Sequence, residues 1–327
     1  MRRALCLSAL ALTALLPVAA SAQRAISIAT LAPPGSLWTR TLESAARELR
    51  RRTNGQLTIR LYAGGIQGDE SEVVRKVRTR RLDGGALTAT GLQHIHRPVL
   101  AYQFPALFNT PEAFLRSYRA MEPEIAAGFE RAGFSLIHLS PSLGARMFST
   151  QEIRVPAQLA AARPWQWTDD PILPALYAEA GATGVPLSLP EVLSALQTRR
   201  IDTVYAPPLA AIALQWSGHV RYMSERSASG SLSAIVLSRT AFESLPPDQR
   251  TTLREVFAQS ATLARPAFLR AEAAAEQTLL TRGITRMALT PAERAQWVAL
   301  FARVRSRLGR TLPDPGWVQR IQAAGGS

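Results

Sequence analysis

Two segments of this chain, EVVRKVRTRRLD at Glu72–Asp83 and EVLSALQTRRID at Glu191–Asp202, stand 119 residues apart and agree at six of twelve positions without a gap. Each reads as an amphipathic helix that ends at Thr-Arg-Arg and passes through an aliphatic residue and an aspartate into a strand. Amphipathicity alone does not ask for Thr-Arg-Arg, then aliphatic, then Asp. The reading is one α-β unit used twice, once in each of two similar lobes; the spacing is far too long for a solenoid repeat.

The chain around the first copy has the matching rhythm. Ala25 to Leu31 reads as a strand stopped by Pro33-Pro34-Gly35, and Ser36 caps a helix that runs to about Thr53. Asn54-Gly55 ends it, Gln56 to Tyr62 alternates as a strand, Ala63 to Gly68 is a glycine-rich loop, and Asp69 opens a helix through about Arg80. Such β-α-β-α order favours a mainly parallel sheet flanked by helices. Asp248 to about Arg282 is rich in Ala, Leu, Glu and Arg, interrupted only by Pro266, and Pro291 to Leu308 is a helix with Thr290 as N-cap and Glu293 at its third position. These long C-terminal helices have no sheet of their own and are expected to cross the lobes.

A chain of 327 residues, 47% apolar and 19% charged, suits two such lobes. Arg2-Arg3, the apolar run Ala4 to Val18 and Ala20-Ser21-Ala22 form a secretory leader, with cleavage expected after Ala22 and export to the periplasm. The single cysteine, Cys6, lies inside that leader, which removes disulfide, thiol and Cys-metal chemistry from the mature protein. Net charge is +14, carried almost wholly by arginine. The arginines are scattered rather than gathered in a stripe with aromatics, so they read as a solvated surface and not a nucleic-acid face.

The sequence carries few catalytic signatures. No G-x-S-x-G, G-x-G-x-x-G, P-loop or H-E-x-x-H occurs. His94-x-His96 lacks a third metal ligand nearby, and Asp169-Asp170 reads more simply as a helix cap before Pro171 than as an acid-base dyad. The expectation is binding without catalysis, cofactor or metal.

Arg51 to Asp83, YQFPALF (Tyr102 to Phe108), GARMFST (Gly144 to Thr150), GATGVPLSLPEVLSALQTRRID (Gly181 to Asp202) and LSRTAFESLPPDQR (Leu237 to Arg250) together resemble the substrate-binding proteins of TRAP transporters, the tripartite ATP-independent periplasmic systems. The resemblance covers nearly the whole mature chain. It implies a two-lobed α/β periplasmic binding protein that closes on a small molecule and delivers it to a membrane permease driven by an ion gradient. By the same analogy residues 23–143 and 231–267 form one lobe, 144–230 and 268–310 the other, and 311–327 a tail. The alternatives are a sensory ligand-presenter or an envelope protein on the same fold.

The resemblance also exposes departures. The family segment D-L-x-G-x-K-I-R-V-P, whose arginine holds an organic acid, corresponds here to Gln158 to Trp167 and puts Trp165 at the arginine position. Arg146 matches a second family arginine; the acid-amide segment D-G-Q-E-N-P becomes Asp202 to Pro207, with Tyr205 and Ala206 in place of its polar pair; an often aromatic position is Leu189. These replacements point to a more apolar ligand than a small dicarboxylate, contacted by Trp165, Leu189 and Tyr205, with Arg146 orienting an acidic end. The competing account makes Trp165 core packing and lets Arg163 or Arg146 take over the carboxylate. Pro33, Gln67, Gln93, Ala206 and Trp167 complete the expected cleft lining, because ligands of open α/β sheets collect beyond the carboxyl ends of strands. The implied partners are the transporter's membrane subunits; a second periplasmic protein that takes the cargo is a further partner that the missing arginine allows.

Overall fold

The twice-used unit owes its sequence to one backbone turn. A computed structural model describes residues 23–143, 145–225 and 230–326, so the leader read at residues 1–22 lies outside it. The chain runs β1 (Arg24–Thr30), α1 (Leu37–Arg52), β2 (Leu57–Tyr62), α2 (Glu70–Arg78), β3 (Gly84–Thr88), α3 (Ala89–Leu92), α4 (Pro111–Arg131) and β4 (Phe134–Leu143). It then crosses into β5 (Arg146–Ser149), β6 (Trp165–Trp167), α5 (Ile172–Glu179), β7 (Val185–Leu187), α6 (Val192–Gln197), β8 (Thr203–Ala206), α7 (Pro208–Ala213) and β9 (Tyr222–Ser224). It returns through β10 (Gly230–Ser238), α8 (Arg239–Glu243), α9 (Pro247–Thr281), β11 (Thr285–Met287), α10 (Pro291–Gly309) and α11 (Trp317–Gly325).

In the two copies, Thr79 and Thr198 are the C-caps of α2 and α6, and their hydroxyls donate to the Arg75 and Ser194 carbonyls at 3.0 and 2.9 Å. Arg80 and Arg199 follow in the left-handed region at φ 61° and 57°, which reverses the chain. Leu82 and Ile201 then drop into the core, and each aspartate clamps a neighbouring backbone segment. Asp83 accepts the Ser27 N–H at 2.8 Å and returns its own N–H to the Ser27 carbonyl at 3.2 Å. Asp202 does the same with Arg163, at 2.8 and 3.1 Å.

The first sheet is ordered β2-β1-β3-β10-β4, and only β10 runs against the others. The second is ordered β11-β9-β5-β8, and only β5 is reversed. Both exceptions have one cause: β10 and β5 are the strands that enter a lobe from the other one. A parallel pair β6-β7 extends the second lobe through a bridge from Pro164 to Thr203.

Helix α9 is 35 residues long and passes Pro266 without a break. Phe268 still meets Trp38 of α1, with ring centroids 5.8 Å apart, whereas Glu272 already accepts the Leu209 N–H of α7. The hand-over between lobes therefore takes one turn. Two details differ from the sequence reading. The C-terminal portion contributes a strand, β11, to the second sheet, and residues after 310 are not a loose tail: α11 packs on α4 with Trp317 and Ile321 buried. Among the described residues no helix is long and apolar enough to cross a membrane.

Candidate functional site

Helix α2 starts at the mouth of the inter-lobe gap. Its N-cap Asp69 is extended, and Oδ1 accepts the Glu70 N–H at 2.8 Å. The second oxygen, Oδ2, faces the other lobe, where it accepts the Trp167 indole N–H at 2.8 Å and the Leu189 N–H at 3.3 Å. Glu70 turns inward. Buried at 2% exposure, it accepts from the Thr88 N–H and hydroxyl and from the Gly91 N–H, all within 2.8 Å, and burial pushes its carboxyl up to about 7 against the pull of these bonds. A Cβ at Gly91 would come within 2.7 Å of that carboxylate, so the glycine admits it. Glu70 thereby ties the start of α2 to α3.

At the end of α3, the Gln93 amide crosses the gap to donate to the Asp169 carbonyl at 2.5 Å, and His94 Nε2 lies 3.9 Å from the Asp169 carboxylate. The glycine-rich loop completes the rim. Gly65 sits at φ 75°, where a Cβ would stand 3.2 Å from both Leu31 and Pro190 of the opposite lobe. The two lobes are closed on each other along Gly65, Asp69 and Gln93 on one side and Trp167, Leu189 and Asp169 on the other.

Of the residues expected at the cleft, Trp167, Leu189 and Gln93 are brought together at this rim. Trp165 lies behind it, 2% exposed, in the second lobe's core. Its indole N–H donates to the Leu187 carbonyl at 3.0 Å, its ring stacks on Trp167 at 5.7 Å and 28°, and Trp216 meets it edge-on at 5.3 Å. It reaches the gap only through Trp167. Tyr205 is half-buried with its hydroxyl 3.3 Å from the Met147 sulfur, and burial pushes its phenol well above the usual range. Ala206 is buried opposite Arg146 in the β5-β8 register. Gln67 is held by Lys76 Nζ, which donates to its carbonyl and Oε1 at 2.8 and 3.1 Å, and the Pro33 carbonyl accepts the Thr39 hydroxyl at 3.0 Å. Both shape the first-lobe loops.

Arg146 donates to the Ser224 and Glu225 carbonyls and, at 3.1 and 3.3 Å, to Glu276 of α9. Arg163 is 57% exposed and lies 3.3 Å from Asp202, away from the rim. The two histidines diverge, His94 toward Asp169 and His96 into the packing of Phe129 and Trp317. Among the described residues no group of three or more His, Cys, Asp or Glu could hold a metal. The N-cap of α5 is Pro171 rather than Asp170; Asp170, one residue earlier, accepts the Ile172 N–H at 2.7 Å, and burial pushes its carboxyl up to about 6. Sequence reasoning saw Asp69 only as a helix cap and passed over Glu276. The cap signal names Asp69 without revealing its second acceptor, and Glu276 carries no local signal at all.

The model of one family, described as bacterial extracellular solute-binding protein, family 7, matches residues 28–309. A solute-binding protein of Chromohalobacter salexigens is 24% identical over 260 residues, covering 77% of this chain and 75% of that one. Among solved structures, an extracytoplasmic solute receptor of Bordetella pertussis binding pyroglutamic acid superposes with a TM-score of 0.84 at 19% identity, over 93% of this chain and all of its own. A TRAP periplasmic solute-binding protein of Shewanella oneidensis with bound succinate does so with a TM-score of 0.84 at 17% identity, over 93% of this chain and 100% of that one.

Proposed function

Because the chain belongs to the bacterial extracellular solute-binding proteins of family 7, the solute receptors of TRAP-type transporters, we propose that it captures one small organic solute, an organic acid or a more apolar molecule, between its lobes and passes it to the transporter's membrane subunits. Its role is binding for transport, not catalysis. The observation that carries the reading is the bridge at Asp69, where one carboxylate oxygen of the first lobe takes an indole N–H and a backbone N–H from the second. Such bonds form only when the halves close, so a solute enclosed there adds its contacts to a closed state already favoured by the protein.

Trp167, held flat against Trp165, offers apolar surface whose burial by a solute is worth roughly 2–3 kcal/mol. Leu189, Tyr205, Ala206, Gln67, Gln93 and Pro33 form or support the remaining walls, and Arg146, the first residue of β5, is the cation set opposite Ala206 at the end of β8. The receptors of similar fold that carry pyroglutamic acid and succinate support a solute of a few carbons. We place leader removal after Ala22, which N-terminal sequencing of the exported protein checks.

Calorimetric titration of the exported protein with dicarboxylates, sugar acids, pyroglutamate and longer-chain monocarboxylates tests the reading. At least one is expected to bind, and Trp167→Ala to weaken it by about tenfold or more. No binding of these acids or of their uncharged amides, or a best solute that ignores both Trp167→Ala and Asp69→Ala, overturns it.

A further inference from the structure

Arg146 opens β5 directly after the crossing between lobes, opposite Ala206 at the carboxyl end of β8. Its guanidinium is already engaged from within the chain. Nη1 donates to the carbonyls of Ser224, at 3.1 Å, and Glu225; Nη2 donates to both carboxylate oxygens of Glu276, at 3.1 and 3.3 Å. Nε is buried and has no hydrogen-bond partner among the described residues. The pair is poorly solvated, with the Arg146 and Glu276 side chains 15% and 22% exposed. Arg286 also donates to Glu276, at 2.6 Å, and Glu272, one turn earlier on α9, is a second carboxyl close enough to feel the Arg146 charge.

We propose that Glu276 is a specificity-determining residue: by occupying the Arg146 guanidinium from the long helix, it turns the receptor toward uncharged organic solutes and against carboxylates. The inference rests on the cleft reading above and narrows it to one solute class. A solute carboxylate that sought Arg146 would have to displace Glu276, leaving that carboxylate in a site with little water and, among the described residues, Arg286 as its remaining cation, or lie beside the Glu276 carboxylate. Either event opposes binding. A primary amide or hydroxyl requires no exchange of ions, while the Trp167 surface serves both kinds of solute equally. Discrimination thus arises from an anion the solute would meet as well as from the contacts it makes.

The test extends the same panel with the primary amide of each acid, hexanoate with hexanamide and succinate with succinamide among them, and titrates wild type and Glu276→Gln. In wild type the amide of a binding pair should bind about tenfold more tightly than the acid or better. Glutamine keeps an acceptor for Nη2 but not the charge, so the preference should move toward the acid by about ten- to a hundredfold, and adding Arg146→Gln should abolish the gain. A wild-type preference for acids, or an unchanged acid-to-amide ratio in a natively folded Glu276→Gln, overturns the assignment while leaving the cleft reading intact. A panel in which neither acids nor amides bind sinks the cleft reading and the inference with it. Should Glu276→Gln fail to fold, the wild-type ratio decides alone.

Discussion

His96 packs against Phe129 and Trp317, with ring centroids 5.9 and 6.0 Å away, and its Nε2 has no hydrogen-bond partner among the described residues. Burial, with the Arg131 charge adding to it, lowers its pKa from 6.5 to about 4. The unfolded chain therefore takes up this proton in a pH range where the folded chain refuses it. Stability from this site is complete above about pH 6.5 and is lost as pH falls toward 4, by an amount on the order of 3 kcal/mol. Glu70 and Glu272, whose pKa values burial raises, act in the opposite sense below pH 7, so the comparison must be made against a variant. Urea unfolding at pH 7 and pH 4.5 should show wild type losing more stability than His96→Leu; equal losses would contradict this account. The His-x-His spacing was visible in the sequence, but not that one ring faces the second lobe while the other faces its own core. Trp165 and Trp167 pose the same difficulty: residues two apart on a strand share a face, yet only Trp167 reaches the rim.

At the scale of elements, the repeated helix-to-strand unit was legible because its demands are local. A left-handed residue, a buried aliphatic and a clamping aspartate must follow the helix in fixed order, whichever lobe the unit serves. Asp83→Ala and Asp202→Ala are each expected to cost about 1.5–3 kcal/mol, since each strands the N–H it holds on a neighbouring segment. The sites lie in different lobes and share no partner, so the double variant should lose the sum within about 0.5 kcal/mol. Chemical denaturation of the two single variants and the double decides, and a double variant no worse than one single would refute independent use of the unit. Caps were equally readable. Ser36 accepts the Thr39 N–H, and Thr290 and Glu293 form the reciprocal pair expected of a capping box. Helix α11 was missed because Pro313, Pro315 and Gly316 stand before it, and its stability comes from burying Trp317 and Ile321 on α4, a contact some 200 residues distant.

For the whole molecule, closure is the event on which function depends, and Asp69 is its most economical handle. Removing its carboxylate deletes the bonds to Trp167 and Leu189 but leaves the bond from Gln93 to the Asp169 carbonyl. Asp69→Ala should shift the solute-free protein toward an open form, raising the radius of gyration in solution scattering, and a saturating solute should reverse most of the change. Identical scattering curves for variant and wild type, with and without solute, would show that this bridge does not govern closure. Helix α9 is central at this scale because it touches α1 and β4 of one lobe and α7 of the other, and it brings Glu276 to Arg146.

The sequence by itself determined the two-lobed plan, the opening β-α-β-α run, the repeated helix-to-strand unit, the main caps and the residue types offered to a cleft, because each depends on periodicity or on neighbours within one or two turns. Only the tertiary structure decided which of those side chains face the gap. Asp69 meets Trp167 across 98 residues and Arg146 meets Glu276 across 130. Pairings of that range follow from how the two sheets are set against each other, and no local pattern encodes that placement.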